Sequence, residues 1–366
     1  MSNDTFQAGR RRFSLRSGLI LGVAASLLAV SGCAPETASA PEAASTPAAP
    51  EAVSESVVCP VAEMSVGTVV SATEPTAIVL ESIAAGINER TGGTLTLKVF
   101  PDGQLGQNRD MQEQTVAGGA QIAQIDPGYA AELSGNSEFN IMGGPFLFDT
   151  VEDLNWFIDS EIVEDWNDQM AVDAGVHMLT WKFFFGERHI ISNQGFPAVG
   201  DLEGIKIRVP PNPAWVETFT ALPTVPTVLE WSEVYSGLDQ GVVDAAEAPL
   251  SSMLGSSLYE VGDTVTLTGH FKAATGWFTN VEFWDSLPTE CQEIVTEEFA
   301  RGSDEMTELT LANEQILRKQ FVDEFGVTLV EPDIAGYKAA AVPFYSAFPD
   351  WSPGLYDRVL EVLSAR

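Results

Sequence analysis

The chain has 366 residues, 45% of them hydrophobic and 9% aromatic, more apolar material than one compact lobe usually holds. Its 18 Lys and Arg stand against 52 Asp and Glu, a formal net charge of −34. A field of that sign repels nucleic acid and anionic membrane surfaces, which excludes both as electrostatic partners. The acids are scattered rather than gathered in a run, so they read as a solvated surface and not as a cation store.

Arg10, Arg11, Arg12 and Arg16 precede an apolar stretch, Leu19 to Val30, that is too short and too rich in small residues to be a stable membrane span. Residues 1–33 therefore read as an export signal. Val30-Ser31-Gly32-Cys33 resembles a bacterial lipobox, which makes Cys33 a lipid anchor that tethers the chain to a membrane. Arg10-Arg11-Arg12-Phe13 also resembles a twin-arginine signal, but arginine-rich starts occur in ordinary signals, and both routes stay open. Residues 34–58 are almost all Ala, Pro, Glu, Ser and Thr, with no apolar face to bury, and read as a disordered tether. As a flexible coil, roughly 25 residues reach about 25–30 Å.

Two cysteines follow Cys33. In an oxidising compartment an even count permits a disulfide between Cys59 and Cys291, with two buried free thiols as the alternative. From Met64 onward short apolar runs alternate with longer amphipathic ones. The pattern predicts a strand at 64–70, a helix from Thr76 to Arg90 and a strand from Leu95 to Phe100. A helix from Arg109 to Gly118 and a strand from Gln121 to Ile125 come next, then strands at His177–Phe184, Ile190–Ser192 and Ile205–Val209. Glu293 to Glu324 is the longest helical candidate, free of Pro and interrupted only by Gly302. Such alternation builds α/β lobes, whose ligands bind outside the carboxyl ends of the strands.

No catalytic or metal-binding motif is visible. The three histidines, His177, His189 and His270, are isolated in sequence, no cysteine sits at metal-ligand spacing, and HExxH, CxxC, Walker and GxSxG patterns are absent. The reading is thus of a non-enzyme with no cofactor and no metal.

Arg208 ends an apolar strand that Pro210-Pro211 stops, leaving its guanidinium at a carboxyl edge; a planar fork of donors there suits a bidentate carboxylate, with a structural ion pair as the alternative. Phe183, Phe184 and Phe185 are consecutive, so alternation places Phe184 opposite the other two, and Phe184 is the candidate for the apolar wall of the ligand cleft, with at least one of the three plain core. Trp215 and Trp231 are either ligand platforms or ordinary packing.

The segment from Gly186 to His270 resembles the signature region of the TRAP-type (tripartite, ATP-independent) DctP-like solute-binding proteins. The motifs are Gly204-Ile205-Lys206-Ile207-Arg208-Val209-Pro210, then Pro226 with Glu233-Val234-Tyr235, then Gly241-Val242-Val243-Asp244-Ala245-Ala246-Glu247. Arg90 to Gly106 upstream and Trp284 to Pro288 downstream are similar to further family motifs. Ala248 departs from the family, where an Asn is common, and so does Pro223, where a Gly is usual.

The resemblance implies a two-lobed periplasmic solute-binding protein with hinge segments near residues 186 and 275 and a long interdomain helix. One lobe would comprise 59–187 plus about 275–312, the other 188–274 plus about 320–366. It implies capture of a small carboxylate, an organic or sugar acid, by hinge closure, and delivery to TRAP permease subunits in the membrane. A receptor for an ATP-driven importer or a sensor kinase is the alternative. Arg208 would clamp the carboxylate, and Arg188 would assist, with Glu187 as a rival partner. Asp126 and Glu74 would line the cleft and accept hydrogen bonds from ligand hydroxyls; Glu247 would do the same, bind a cation or cap a helix.

Overall fold

The computed structural model describes residues 59–119 and 121–366. The signal peptide expected at 1–33, the lipid anchor expected at Cys33 and the tether expected at 34–58 lie outside the described residues.

The elements run β1 (Ala62–Gly67), α1 (Pro75–Arg90), β2 (Leu95–Phe100), α2 (Asn108–Val116), β3 (Gln121–Ile125), α3 (Pro127–Ser134), α4 (Val151–Ile158) and α5 (Glu161–Ala174). β4 (Val176–Ser192) is followed by β5 (Lys206–Val209), α6 (Pro213–Ala221), β6 (Val225–Val228), α7 (Val234–Asp239), β7 (Ala245–Pro249), α8 (Leu250–Gly255) and β8 (Thr264–Thr266). The chain closes with β9 (Lys272–Asn280), α9 (Val281–Ser286), α10 (Thr289–Asp323), β10 (Thr328–Val330), α11 (Ile334–Ala341) and α12 (Leu355–Ser364).

The strands follow one path, β2-β1-β3-β9-β4-β7-β5-β6, with β8 joined to β4 and β10 to β8. β1 is parallel to β2 and β3, and β5 is parallel to β6 and β7, as the strand-helix-strand order requires. β4 and β9 run antiparallel to each other and carry the path from the first parallel set to the second. Helices cover both faces of both sets, the α/β class expected from the sequence. Among the described residues no helix is long and apolar enough to cross a membrane.

Two glycines bear on that layout. The strands predicted at His177–Phe184 and Ile190–Ser192 are one 17-residue strand, β4, that passes through Gly186. Gly186 has φ 109°, a left-handed value that costs glycine little, and the β4–β9 register shifts between Phe184 and Gly186. The strand thus bends where it leaves β9 for β7 instead of stopping. Gly302 does not interrupt α10, which runs unbroken for 35 residues, about 50 Å. A side chain at 302 would collide with Ile83, so the glycine lets α10 lie close against α1.

Packing follows the two strand sets. Val79, Leu80, Ile83 and Ile87 of α1, spaced three and four apart, join Val295 and Phe299 of α10 on one face of the first set. The opposite face holds Phe139, Phe157 and Trp166. Trp215, Phe219, Tyr337 and Phe344 pack on one face of the second set, and Val234, Met253 and Phe321 on the other. α10 therefore reaches both, with Phe299 in one core and Phe321 in another. The C-terminal stretch divides as well: Tyr337 of α11 packs in the second set's core, whereas Leu355 and Val359 of α12 return to the first set's, beside α4. Cys59 and Cys291 are bonded, tying the start of β1 to α10 with Cα atoms 5.8 Å apart at a sequence separation of 232.

Candidate ligand-binding site

A cavity of about 350 Å³ opens where the carboxyl ends of β3 and β5 face each other. From the first set Asp126, Tyr129 and the start of α2 line it; from the second come Arg208, Trp215 and Trp231, with Arg188 and Phe185 from β4. Carboxyl ends of parallel strands leave a crevice because neighbouring connections diverge there.

Arg208 is 3% exposed, and its Nε donates to the Leu229 carbonyl at 3.0 Å. Its guanidinium carbon lies 5.3 Å from the centre of the Trp231 ring. Among the described residues it forms no ion pair. Burial pulls its pKa down to about 10, and the charge of Glu247 only partly offsets this. A buried cation without a counter-charge is costly, and an incoming anion relieves that cost.

Arg188 differs. Its Nε and Nη2 donate to the two carboxylate oxygens of Glu247, and Nη2 also reaches the Glu247 carbonyl at 3.0 Å. Glu247 is fully buried and lies behind the cavity wall rather than in it. It meets neither a ligand position nor a helix start; it holds Arg188. His270 approaches Glu247 at 3.4 Å through Nε2, and its Nδ1 lies 2.7 Å from the Thr268 hydroxyl. Burial would raise the Glu247 pKa, but Arg188 and the bond from His270 bring it below the ordinary value. Burial lowers that of His270, and the bond to Glu247 only partly offsets this. Glu187 is no rival for Arg188: it pairs with Lys272 at 2.6 Å, on the other side of the strand.

The remaining predicted residues divide. Trp215 and Trp231 both line the cavity, each with an arginine over its ring: Arg188 over Trp215 at 5.5 Å, Arg208 over Trp231. Asp126 lines it too, but its carboxylate is engaged. It caps α3 by accepting from the Tyr129 amide at 3.0 Å and also accepts from Asn212 Nδ2. Burial raises its pKa while the amides at the helix start pull it back. Glu74 is 4% exposed and absent from the cavity wall. It accepts from the Ser71 amide at 3.0 Å and from the Ser252 hydroxyl at 2.8 Å, bridging α1's start to α8. Phe184 is also absent from the wall; Phe185, on the opposite face of β4, takes that place.

Sequence reasoning missed the amides. Gln107, Asn108, Gln112 and Gln124 line the first-set wall and Asn212 the second, and the side-chain oxygens of Gln107 and Asn108 are buried without a hydrogen-bond partner. The signal available was position: Gln107 and Asn108 begin the helix that follows β2, at a strand's carboxyl end.

The family model for bacterial extracellular solute-binding protein, family 7 (DctP), matches residues 66–349. The chain belongs to this family. Within it, the ectoine/5-hydroxyectoine-binding periplasmic protein UehA of Ruegeria pomeroyi is 32% identical over 201 residues, 54% of this chain and 58% of that one. The match thus spans under two thirds of that relative's length. Two solved TRAP periplasmic solute-binding proteins share the architecture over nearly their whole length. One, from Actinobacillus succinogenes with bound L-galactonate, has a TM-score of 0.80 at 26% identity, covering 83% of this chain and 100% of that one. The other, from Desulfovibrio salexigens in complex with diglycerolphosphate, has a TM-score of 0.78 at 27% identity, covering 83% and 96%. The motifs around Arg208 lie inside the DctP match.

Proposed function

We propose that this DctP-family protein captures a small carboxylate, a hydroxylated organic or sugar acid, between the two strand sets and delivers it to TRAP permease subunits. It does so as a binder rather than as a catalyst. The observation that carries the reading is Arg208: a buried guanidinium at a strand's carboxyl end, in the wall of a 350 Å³ cavity, with no ion-pair partner among the described residues. Its Nη groups are free to grip a carboxylate through two parallel bonds, and the Trp231 ring keeps the fork in place. The L-galactonate bound to the Actinobacillus succinogenes relative supports the ligand class. Gln107 and Asn108 supply acceptors for hydroxyls on the far side.

The layout supports capture by hinge closure. Lobes of 59–187 plus about 275–312 and α12, and of 188–274 plus the stretch from about 320 to the residue before α12, would turn about β4 and β9. The export signal and the lipid on Cys33 would hold the receptor at the outer side of a membrane, on a tether long enough to reorient. The test is a thermal-shift screen of the mature protein over organic and sugar acids, followed by calorimetry. A carboxylate that binds wild type at micromolar strength or better and loses binding in Arg208→Met is the expected result. Binding undiminished in that variant, or no carboxylate bound at all, overturns the reading.

A further inference from the structure

Among the described residues three cations line the cavity, Arg109, Arg188 and Arg208, and their charges are not equally available. Arg188 is neutralised from behind by Glu247. Arg109, on α2, is neutralised from the side: Nη1 and Nη2 donate to the two carboxylate oxygens of Glu132 at 2.7 and 2.5 Å, Nε donates to Glu113 at 3.0 Å, and the guanidinium lies 4.5 Å from the centre of the Tyr129 ring. Only Arg208 has no carboxylate.

Resting on the capture reading above, we infer that the cavity selects singly charged carboxylates over dicarboxylates of the same size, and that Glu132 and Glu113 determine this by masking Arg109. A second carboxylate entering this space meets neutralised ion pairs. It must also shed water beside Glu230 and Glu132, which line the same cavity, in a chain whose net charge is −34. Arg109 lies within reach of the cavity, so an unmasked Arg109 would supply the second counter-charge that wild type withholds. Glu132 and Glu113 are exposed, with side chains 61% and 63% accessible, so replacing both leaves the packing untouched.

The experiment compares L-galactonate with galactarate, which has the same six-carbon chain but a carboxylate at both ends, by calorimetry at fixed ionic strength. If L-galactonate is not the monocarboxylate retained, the best-binding aldonate from the screen is paired with its own aldarate. Wild type is expected to bind the dicarboxylate at least 30-fold more weakly than the monocarboxylate. In the Glu113→Gln, Glu132→Gln variant that ratio should fall at least 10-fold, because dicarboxylate binding tightens far more than monocarboxylate binding. Equal wild-type affinities, or a ratio that the double variant does not move, overturn the inference and leave the capture reading standing. Failure of every carboxylate to bind overturns the capture reading, and this inference with it.

Discussion

Asn212 Nδ2 donates to Asp126 across the cavity, and each of the two residues is the N-cap of a helix with proline at its first turn. Asn212 keeps its own helix start as well, since its Oδ1 accepts from the Ala214 amide at 2.9 Å. One side chain therefore both caps α6 and joins the two walls of the cleft.

Those two duties separate in Asn212→Ser. Serine caps a helix about as well as asparagine but is too short to reach Asp126. Taking the contact to form when the walls close, the unfolding free energy of the open, unliganded protein should stay within about 0.5 kcal/mol of wild type. Ligand affinity should fall roughly tenfold, as loss of a bond to a charged group worth about 1.5 kcal/mol would give. Chemical unfolding beside calorimetry checks it; unchanged affinity would show that the contact plays no part in the closed form.

Arg208 and Arg188 should respond oppositely to the same change. Arg208→Met removes a buried charge that has no counter-charge, so the unliganded protein should be at least as stable as wild type while ligand binding is lost. Arg208→Lys keeps a charge but not the fork, and should weaken binding about 30-fold. Arg188→Met strands Glu247 without its cation and should destabilise the fold by about 3–5 kcal/mol. Urea midpoints of the three variants decide the matter, and equal stability losses in the two methionine variants would contradict the assignment.

Glu74 should impose a pH dependence on stability. Burial, opposed by the Ser71 amide and the Ser252 hydroxyl and reinforced by Asp102, raises its pKa from 4.5 to about 7. A carboxyl raised in the folded state contributes stability that is complete below pH 4.5 and is lost as pH rises through 7. The loss should be on the order of 2 kcal/mol. Glu74→Gln should escape it, so the variant gains on wild type between pH 5 and pH 8 in urea titrations. Parallel pH profiles would mean that Glu74 is ionised in the fold.

The Cys59–Cys291 bond spans 232 residues and anchors β1 to α10. The chain-entropy model puts its worth at about 5 kcal/mol for a loop of that size. Paired Cys59→Ser and Cys291→Ser substitutions should lower the unfolding free energy by several kcal/mol. Thiol titration of the unfolded, unreduced protein without Cys33 should find no free sulfhydryl; two would disprove the pairing.

Much of the molecule was readable from its residues. The period of two in Leu95–Phe100, the spacing of three and four along α1 and the proline stop after Arg208 are local signals, set by backbone geometry and by which side chains can be buried. Those signals placed the α/β elements, and the motif around Arg208 pointed to the family. They were misleading where a local rule met a distant neighbour. Gly186 looks like a strand end until the partner strands on either side of it are known, and Gly302 looks like a helix break until Ile83 is beside it. Glu74 and Asp126 were read as free acceptors, and Glu247 as an acceptor, a cation ligand or a helix cap, because their partners, Ser252, Asn212 and Arg188, are 178, 86 and 59 residues away in sequence. Whether a charge is available to a ligand depends on what lies within about 4 Å of it, since Coulomb and hydrogen-bond energies fall steeply with distance. Sequence determined which charged groups the chain possesses and on which elements they ride; only the tertiary structure decided that Arg208, of the three arginines at the cavity, has no counter-charge of its own.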